Sequence, residues 1–251
     1  MNRVLIQLIA VAALAGLGSS VYLLLAVPAA DPAPRRVVLL STELARGPLE
    51  GSDLEHGGGL TEQFERRTGV RVQVHYLDAT TNFHETQACL VLTAEPAVLD
   101  ALGAAGAAPR HEVARLAPVL MLGSSASATS IAEVRTPSRL AVAEDGDLAR
   151  VAADLWPADH APPELITLPS RAAADAVARG RVDAAVVWAV HARAHPHHET
   201  LPLDAVPAQG PPLVVVRRRE ADDARRFAAF LAGEVAAAAF ARYGFEVADR
   251  P

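Results

Sequence analysis

Short apolar runs alternate with amphipathic stretches along most of this chain. The runs are rich in Val and Leu and predict strands at 37–40, 70–76, 90–93, 119–122 and 140–143. Apolar residues at helical spacing predict helices at 60–67, 97–105, 131–134, 148–156 and 172–178. Gly69 follows the first of these helices, where it can end the helix. The alternation predicts an α/β fold with parallel strands.

The C-terminal part continues the same pattern. An Ala-rich helix leads through residues 180–185, Gly-Arg-Val-Asp-Ala-Ala, into a predicted strand at 186–190. A second strand is predicted at 213–216, and one apolar-periodic helix then ends at Arg242. Tyr243, Gly244 and Phe245 follow that helix.

The first residues have the pattern of a membrane segment. Arg3 is followed at 4–27 by an almost unbroken apolar run, long enough to cross about 30 Å of hydrocarbon. We expect residues 1–30 to be a signal anchor or a cleaved signal peptide, and 31–36 to be a linker. Either alternative exports the rest of the chain, and an uncleaved anchor would hold it at the membrane.

Composition excludes several classes of function. The formal net charge is -6 and the longest basic run is the triplet at 217–219, so we expect no nucleic-acid partner. A single cysteine, Cys89, allows no internal disulfide. The sequence contains no G-x-S-x-G or H-E-x-x-H motif. We therefore expect a protein that is not an enzyme and needs no cofactor.

Several motifs occur in an order that is informative as a whole. They are Gln63 to Val72 (QFERRTGVRV), Leu92 to Pro96 (LTAEP), the segment at 180–185 before a strand, and Tyr243-Gly244-Phe245 near the end. In this order they resemble the type II periplasmic solute-binding proteins, and most of all their molybdate- and tungstate-binding branch. The usual aspartate of the family is absent before Leu92.

The resemblance implies a two-lobed α/β fold that binds its ligand between the lobes. Lobe one would comprise 37–115 and 206–251, and lobe two 116–205. The implied function is capture of a small ligand, a tetrahedral oxyanion such as molybdate or tungstate, for the permease of an ABC importer. The implied location is the periplasm or the extracellular face, with an anchor in the inner membrane.

The family pattern also implies candidate ligand-binding residues. Ser41 and Thr42 follow the first strand, and Thr80 and Thr81 follow the second, where the family has hydroxyl donors. Hydroxyls and N–H groups at helix N-termini can bind an oxyanion without a cation. The alternative for all four residues is helix capping. Trp188 stands where the family often has a tyrosine, and its alternative is a core aromatic.

Other features oppose an oxyanion site or suggest a different one. Four carboxylates lie between the first strand and the helix at 60–67, namely Glu43, Glu50, Asp53 and Glu55. The third family loop would fall at 144–147, which is acidic here. The histidines at 191–198 form either a polar loop or a metal site, and we expect no metal.

The alternative function is a membrane-tethered sensor or interaction domain with a different ligand or none.

Overall fold

Two mixed β-sheets organise the residues that the structure describes. The structure is a computed structural model. It describes residues 35–51, 58–77, 87–104, 110–124, 128, 130–134, 137–144, 146–153, 155, 164–203 and 210–247. The predicted segment at 1–30, together with Thr80 and Thr81, lies outside these residues. Arg36–Pro251 form one compact unit.

The strands of the first sheet are β1 (Arg36–Ser41), β2 (Arg71–Tyr76), β3 (Leu90–Thr93), β4 (Arg110–Leu116), β10 (Pro212–Arg217) and β11 (Phe245–Glu246). Their order in the sheet is β11-β4-β10-β3-β1-β2. Strands β1, β2 and β3 are parallel, so that Leu39 pairs with Val74 on one side and with Leu90 on the other. Strand β10 runs antiparallel to both β3 and β4.

The strands of the second sheet are β5 (Pro118–Leu122), β6 (Arg139–Ala143), β7 (Glu164–Leu168), β8 (Ala184–Trp188) and β9 (Thr200–Pro202). Their order in the sheet is β7-β6-β8-β5-β9. Strands β6, β7 and β8 are parallel, whereas β5 is antiparallel to β8 and to β9. The chain passes from the first sheet to the second at Ala117 and returns between β9 and β10.

Helices cover the sheets. In chain order they are α1 (Arg46–Glu50), α2 (Leu60–Thr68), α3 (Pro96–Ala104), α4 (Gly146–Ala153), α5 (Ser170–Ala178), α6 (Ala189–Ala192), α7 (Asp222–Leu231) and α8 (Glu234–Arg242), with 3-10 turns at Glu43–Ala45 and Ile131–Glu133. Among the described residues, none of the helices combines the length and the apolar content that crossing a membrane requires.

Aromatic residues fill the layer between the first sheet and its helices. The rings of Phe64 on α2 and Phe227 on α7 lie 4.7 Å apart, and both side chains are buried. Phe240 on α8 meets Phe245 of β11 edge to face at 5.3 Å. Each such aromatic side chain buries a large apolar area, and each pair adds about 0.5–1.5 kcal/mol beyond that burial.

Small alanine side chains form the contact between α5 and the second sheet. Ala173, Ala174 and Ala176 of α5 are buried against Ala141 and Ala185 of the sheet. Because these side chains are small, the helix can lie close to the strands. The Ala-rich composition therefore reflects close helix–sheet packing here.

The predicted α/β fold with parallel strands is confirmed, and the strands at 37–40, 90–93 and 140–143 lie where the pattern placed them. Gly69 does end α2, with a φ of 68° in the left-handed region. The helix predicted at 131–134 is only a 3-10 turn.

Two C-terminal predictions were wrong in detail. The strand predicted at 186–190 begins at Ala184, because Ala184 and Ala185 pair with both β5 and β6, and it ends at Trp188 where α6 begins. The single helix predicted before Tyr243 is two helices, since Gly233 separates α7 from α8 in an extended conformation. The lobe boundaries remain a prediction.

Candidate functional site

The carboxyl ends of β1, β2 and β3 meet at one edge of the first sheet, and polar residues lie there. Ser41, the last residue of β1, pairs with Tyr76 at the end of β2 and with Leu92 of β3. The next residue, Thr42, donates its backbone N–H to the Leu92 carbonyl oxygen at 2.9 Å. This edge of a parallel sheet is where α/β proteins commonly bind ligands.

Ser41 is fully buried at this edge. Its Oγ donates to the Thr42 carbonyl oxygen at 3.1 Å, and its own carbonyl oxygen accepts from the Leu77 N–H at 2.8 Å. A hydroxyl proton rotates to suit its surroundings, so this Oγ can donate to a ligand oxygen in place of the Thr42 carbonyl oxygen. Thr80 and Thr81, the predicted partners of Ser41, lie outside the described residues.

Thr42 occupies the N-cap position of the 3-10 turn Glu43–Ala45, with φ -64° and ψ 146°. Its side chain is buried, yet it makes no capping hydrogen bond to that turn. The capping role that the sequence left open for Thr42 is therefore not realised. This position puts a hydroxyl group beside the first backbone N–H groups of a helical turn, which favour anions.

Charged residues of both signs lie beside this edge. The guanidinium of Arg46 lies 4.2 Å from the centre of the Tyr76 ring and 3.0 Å from a carboxylate oxygen of Glu43. The negative charge of Glu43, which was expected to oppose anion binding, is therefore paired with the positive charge of Arg46. Burial raises the pKa of Tyr76, and the neighbouring Glu50 raises it further. Asp53 and Glu55 lie outside the described residues.

The sequence pattern missed two polar residues at this edge. Tyr76 Oη is buried and has no well-formed hydrogen bond among the described residues. Thr93 is fully buried at the end of β3, where its Oγ1 accepts from the Glu95 N–H at 3.0 Å. Both residues could have been identified if the register of the three parallel strands had been known, because each residue ends a strand of the same sheet.

Trp188 lies at the end of β8 and belongs to the apolar core, with only 4% of its surface exposed. It packs against Gly210, where a Cβ would come within 3.0 Å of the indole ring. The structure thus gives Trp188 the role of a core aromatic, and its role in ligand binding remains a prediction.

At the loop 144–147, Glu144 donates its N–H to the Leu168 carbonyl oxygen at 3.0 Å.

The histidine segment is held by specific protein partners. His191 Nδ1 lies 2.7 Å from Ser170 Oγ, His195 Nε2 lies 2.9 Å from an oxygen of Asp175, and His198 Nδ1 lies 3.1 Å from the Leu122 carbonyl oxygen. Within the described part of the chain, no group of three or more His, Cys, Asp or Glu residues could hold a metal ion.

Two cavities occur in the described residues. One, of about 480 Å³, is lined by residues of β1 and β2 that include Leu40, His75 and Tyr76. The other, of about 360 Å³, lies beside the histidine segment. Neither is lined by Ser41, Thr42 or Trp188.

Solved structures show the same fold at low sequence identity. A substrate-binding domain attributed to a molybdenum ABC transporter from Clostridium difficile has a TM-score of 0.70 and 14% identity, covering 85% of this chain and 99% of its own. The periplasmic molybdate-binding protein of Azotobacter vinelandii has a TM-score of 0.52 and 16% identity, with 85% and 100% covered. Iron-bound HitA from Pseudomonas aeruginosa has a TM-score of 0.57 and 15% identity, with 83% and 84% covered.

Sequence comparison gives the family. No curated protein sequence matches this chain. A family model described as bacterial extracellular solute-binding protein matches residues 59–246, which is well over half of the 251 residues. The two-lobed α/β fold of periplasmic binding proteins agrees with this match. The chain therefore belongs to the family of bacterial extracellular solute-binding proteins.

Proposed function

We propose that this protein captures a tetrahedral oxyanion, of which molybdate and tungstate are the examples we favour, and delivers it to the permease of an ABC importer. The family supplies the general part of this function, since its members bind solutes outside the cell. The choice of ligand and the anchoring of the chain by residues 1–30 are the specific parts of the proposal.

The observation that carries the proposal is the pair of buried hydroxyl residues at the carboxyl end of β1. Ser41 and Thr42 are almost fully buried, at 0% and 5% exposure, although both are polar. Thr42 precedes a helical turn without capping it. Buried hydroxyl groups beside the N-terminus of a helical turn are a suitable donor set for an oxyanion.

The surrounding charges are compatible with an anion that is bound by neutral donors. Glu43 is paired with Arg46, so one carboxylate near Thr42 is balanced by a cation. Burial, and then the neighbouring Glu50, raise the pKa of Tyr76, so the phenol stays protonated and able to donate. A protonated Tyr76 that pairs with Ser41 across the strands could add a further donor at this edge.

The structural neighbours share this fold, although their names refer to different ligands. The names of two neighbours include molybdenum or molybdate, and that of a third includes iron. Identities of 14–16% do not select among these ligands. The oxyanion therefore follows from Ser41 and Thr42 and from the sequence motifs.

A second candidate is a tethered sensor or interaction domain that keeps the fold with a different ligand or none. Trp188 favours it, because this residue lies in the core at the position where the family has a polar aromatic donor.

Ligand screening separates the two candidates. The purified full chain is heated in the presence of millimolar molybdate, tungstate, sulfate or phosphate, with sugars and amino acids as parallel sets. A ligand that binds only the folded state stabilises that state, by about 2.7 kcal/mol at a hundredfold excess over Kd. The melting temperature therefore rises. We expect molybdate or tungstate to give the largest shift. Equal melting temperatures with every compound would favour the ligandless domain.

A further inference from the structure

A second polar site lies beside the second sheet, away from Ser41 and Thr42. The cavity of about 360 Å³ has a polar lining of Arg193, His195, His198 and Thr200, and Gly244 from the C-terminal turn completes it. Arg193 and the two histidines follow α6, and Thr200 begins β9. The cavity therefore places one arginine and two histidines together, and the proposed oxyanion site uses none of them.

Hydrogen bonds fix the protonation pattern of both histidine rings. A carbonyl oxygen can only accept, so the Leu122 oxygen requires a proton on Nδ1 of His198 at 3.1 Å. A carboxylate oxygen of Asp175 likewise accepts from Nε2 of His195 at 2.9 Å. The remaining nitrogens, Nδ1 of His195 and Nε2 of His198, carry lone pairs when the rings are neutral and become donors when the rings are protonated.

The spacing of the rings distinguishes between a metal ion and an anion. The ring centres of His195 and His198 lie 6.5 Å apart with the planes at 86°. Two imidazoles on one tetrahedral metal ion, with metal–nitrogen bonds of about 2.0–2.1 Å, would hold their centres roughly 5 Å apart. One anionic oxygen that accepts from both rings at about 2.8 Å would hold the centres about 6–7 Å apart. The observed spacing is therefore wider than a shared metal ion would give, and it lies within the range for a shared anionic oxygen.

The charges around the cavity also favour an anion. Arg193 lines it and makes no ion pair with the described residues, and both histidines can add a positive charge. The nearest carboxylate, Asp175, is balanced by His195 and by Arg179 at 3.8 Å. Glu199 is engaged elsewhere, since it accepts from the Ala128 N–H at 3.2 Å.

We propose that this cavity binds a small, doubly charged oxyanion between Arg193, His195 and His198. A doubly protonated imidazole presents a free N–H to the anion, whereas the neutral ring presents only a lone pair there, so we expect tighter binding at lower pH. The site is independent of the oxyanion proposed at Ser41, and an anion there would contact both the second sheet and the C-terminal turn.

Sulfate is a suitable probe because its own charge is the same at pH 5.5 and pH 8. Calorimetric titration of the full chain carrying Ser41→Ala and Thr42→Val reports on the cavity alone. We expect sulfate to bind at least about tenfold more tightly at pH 5.5 than at pH 8, the change that one charge-assisted hydrogen bond produces. Titration at pH 5.5 in buffers with different ionisation enthalpies should show proton uptake.

Matched variants assign the binding to the cavity. In the same background, Arg193→Ala and His198→Gln should each weaken sulfate binding about tenfold or more at pH 5.5. His197→Gln is the control, because His197 is an exposed neighbour that does not line the cavity. Equal melting temperatures of these variants at pH 5.5, measured without sulfate, exclude unfolding as the cause. Sulfate binding that is absent at pH 5.5, independent of pH, or equally reduced by His197→Gln would overturn the proposal.

Discussion

Ser170 Oγ lies 2.7 Å from Nδ1 of His191, and the same oxygen accepts the backbone N–H of Trp188 at 3.2 Å. The hydroxyl keeps its proton and a second lone pair, so Ser170 can donate to Nδ1 of His191 or accept from it. Both arrangements are available to the neutral imidazole. It also connects the first residue of α5 with the end of β8, which holds Trp188 in its core position.

The first prediction concerns the pH dependence of stability. Burial, and then the charge of Arg171, lower the pKa of His191 to about 4, against the opposing effect of Asp175. In the unfolded chain the histidine titrates near its ordinary value, so the unfolded state binds the extra proton between about pH 6.5 and pH 4. Stability should therefore decrease as the pH falls through this window, by at most about 1.4 kcal/mol for each pH unit.

The variant His191→Gln removes the titration and keeps a partner for Ser170. Its melting temperature, followed by circular dichroism, should fall less between pH 6.5 and pH 4.5 than that of the natural chain. His197→Gln serves as the control, because His197 is exposed. Parallel curves for the natural chain and His191→Gln would show that His191 does not carry this pH dependence.

The second prediction concerns Gly244 in the Tyr-Gly-Phe motif. Its φ is 86°, and a Cβ there would lie 3.0–3.2 Å from the C, O and Cβ atoms of Ala189 at the start of α6. Gly180 has a similar φ of 66°, but a Cβ there would meet nothing within 4 Å. Gly180→Ala should cost only the left-handed strain of about 1–2 kcal/mol, whereas Gly244→Ala adds crowding of about 1–3 kcal/mol.

Urea unfolding of the two glycine variants measures this difference. We expect the unfolding midpoint of Gly244→Ala to lie below that of Gly180→Ala. The same midpoint for both variants would mean that the contact with Ala189 relaxes without cost, and that only the backbone conformation makes glycine necessary in the motif.

The sequence predicted the fold where local signals and tertiary packing agree. Leu39 and Leu90 lie in β-branched-rich runs that became central strands, and Gly69 ended its helix as its conformational freedom allows. The sequence prediction failed where strand pairing overrides the intrinsic helix propensity of the residues. Ala184 and Ala185 favour helix, yet strands on both sides pair with them and make them part of β8.

The candidate site was predictable only where one strand end was visible in the sequence. Ser41 and Thr42 follow an obvious strand, so their position could be inferred. Tyr76 and Thr93 join them only through the order of β2, β1 and β3 in the sheet, which no local pattern encodes. Whether Thr42 caps its turn depends on a rotamer and a hydrogen bond, and the residue type alone leaves both open.

The third prediction concerns the location of the compact unit. Because the family is extracellular and an apolar run precedes the unit, residues 36–251 should lie outside the inner membrane. Protease added to spheroplasts should digest this unit while a cytoplasmic marker stays intact. Detergent lysis supplies the control in which both proteins are digested. Protection of the unit in intact spheroplasts would place it in the cytoplasm and contradict delivery to an importer.

The last prediction tests the proposed ligand through its hydroxyl donors. If Ser41 and Thr80 donate to a molybdate or tungstate oxygen, each lost charge-assisted hydrogen bond costs about 1.5–3 kcal/mol of binding free energy. Ser41→Ala combined with Thr80→Ala should therefore weaken binding at least about tenfold, while the loss of the Ser41 hydrogen bond to the Thr42 carbonyl oxygen costs about 1 kcal/mol of stability.

Thr68→Ala is the matched control for that experiment. Its hydroxyl donates to the Phe64 carbonyl oxygen at 2.8 Å and accepts from the Val70 N–H at 3.2 Å, so it is structural. Its loss should lower stability by about 1 kcal/mol and leave affinity unchanged. If the Ser41 and Thr80 variant behaves like Thr68→Ala, these hydroxyls support the fold and do not hold the ligand. The absence of both calorimetric heat and thermal stabilisation with millimolar molybdate, tungstate, sulfate or phosphate would end the oxyanion assignment, because a ligand that binds only the folded state must stabilise it.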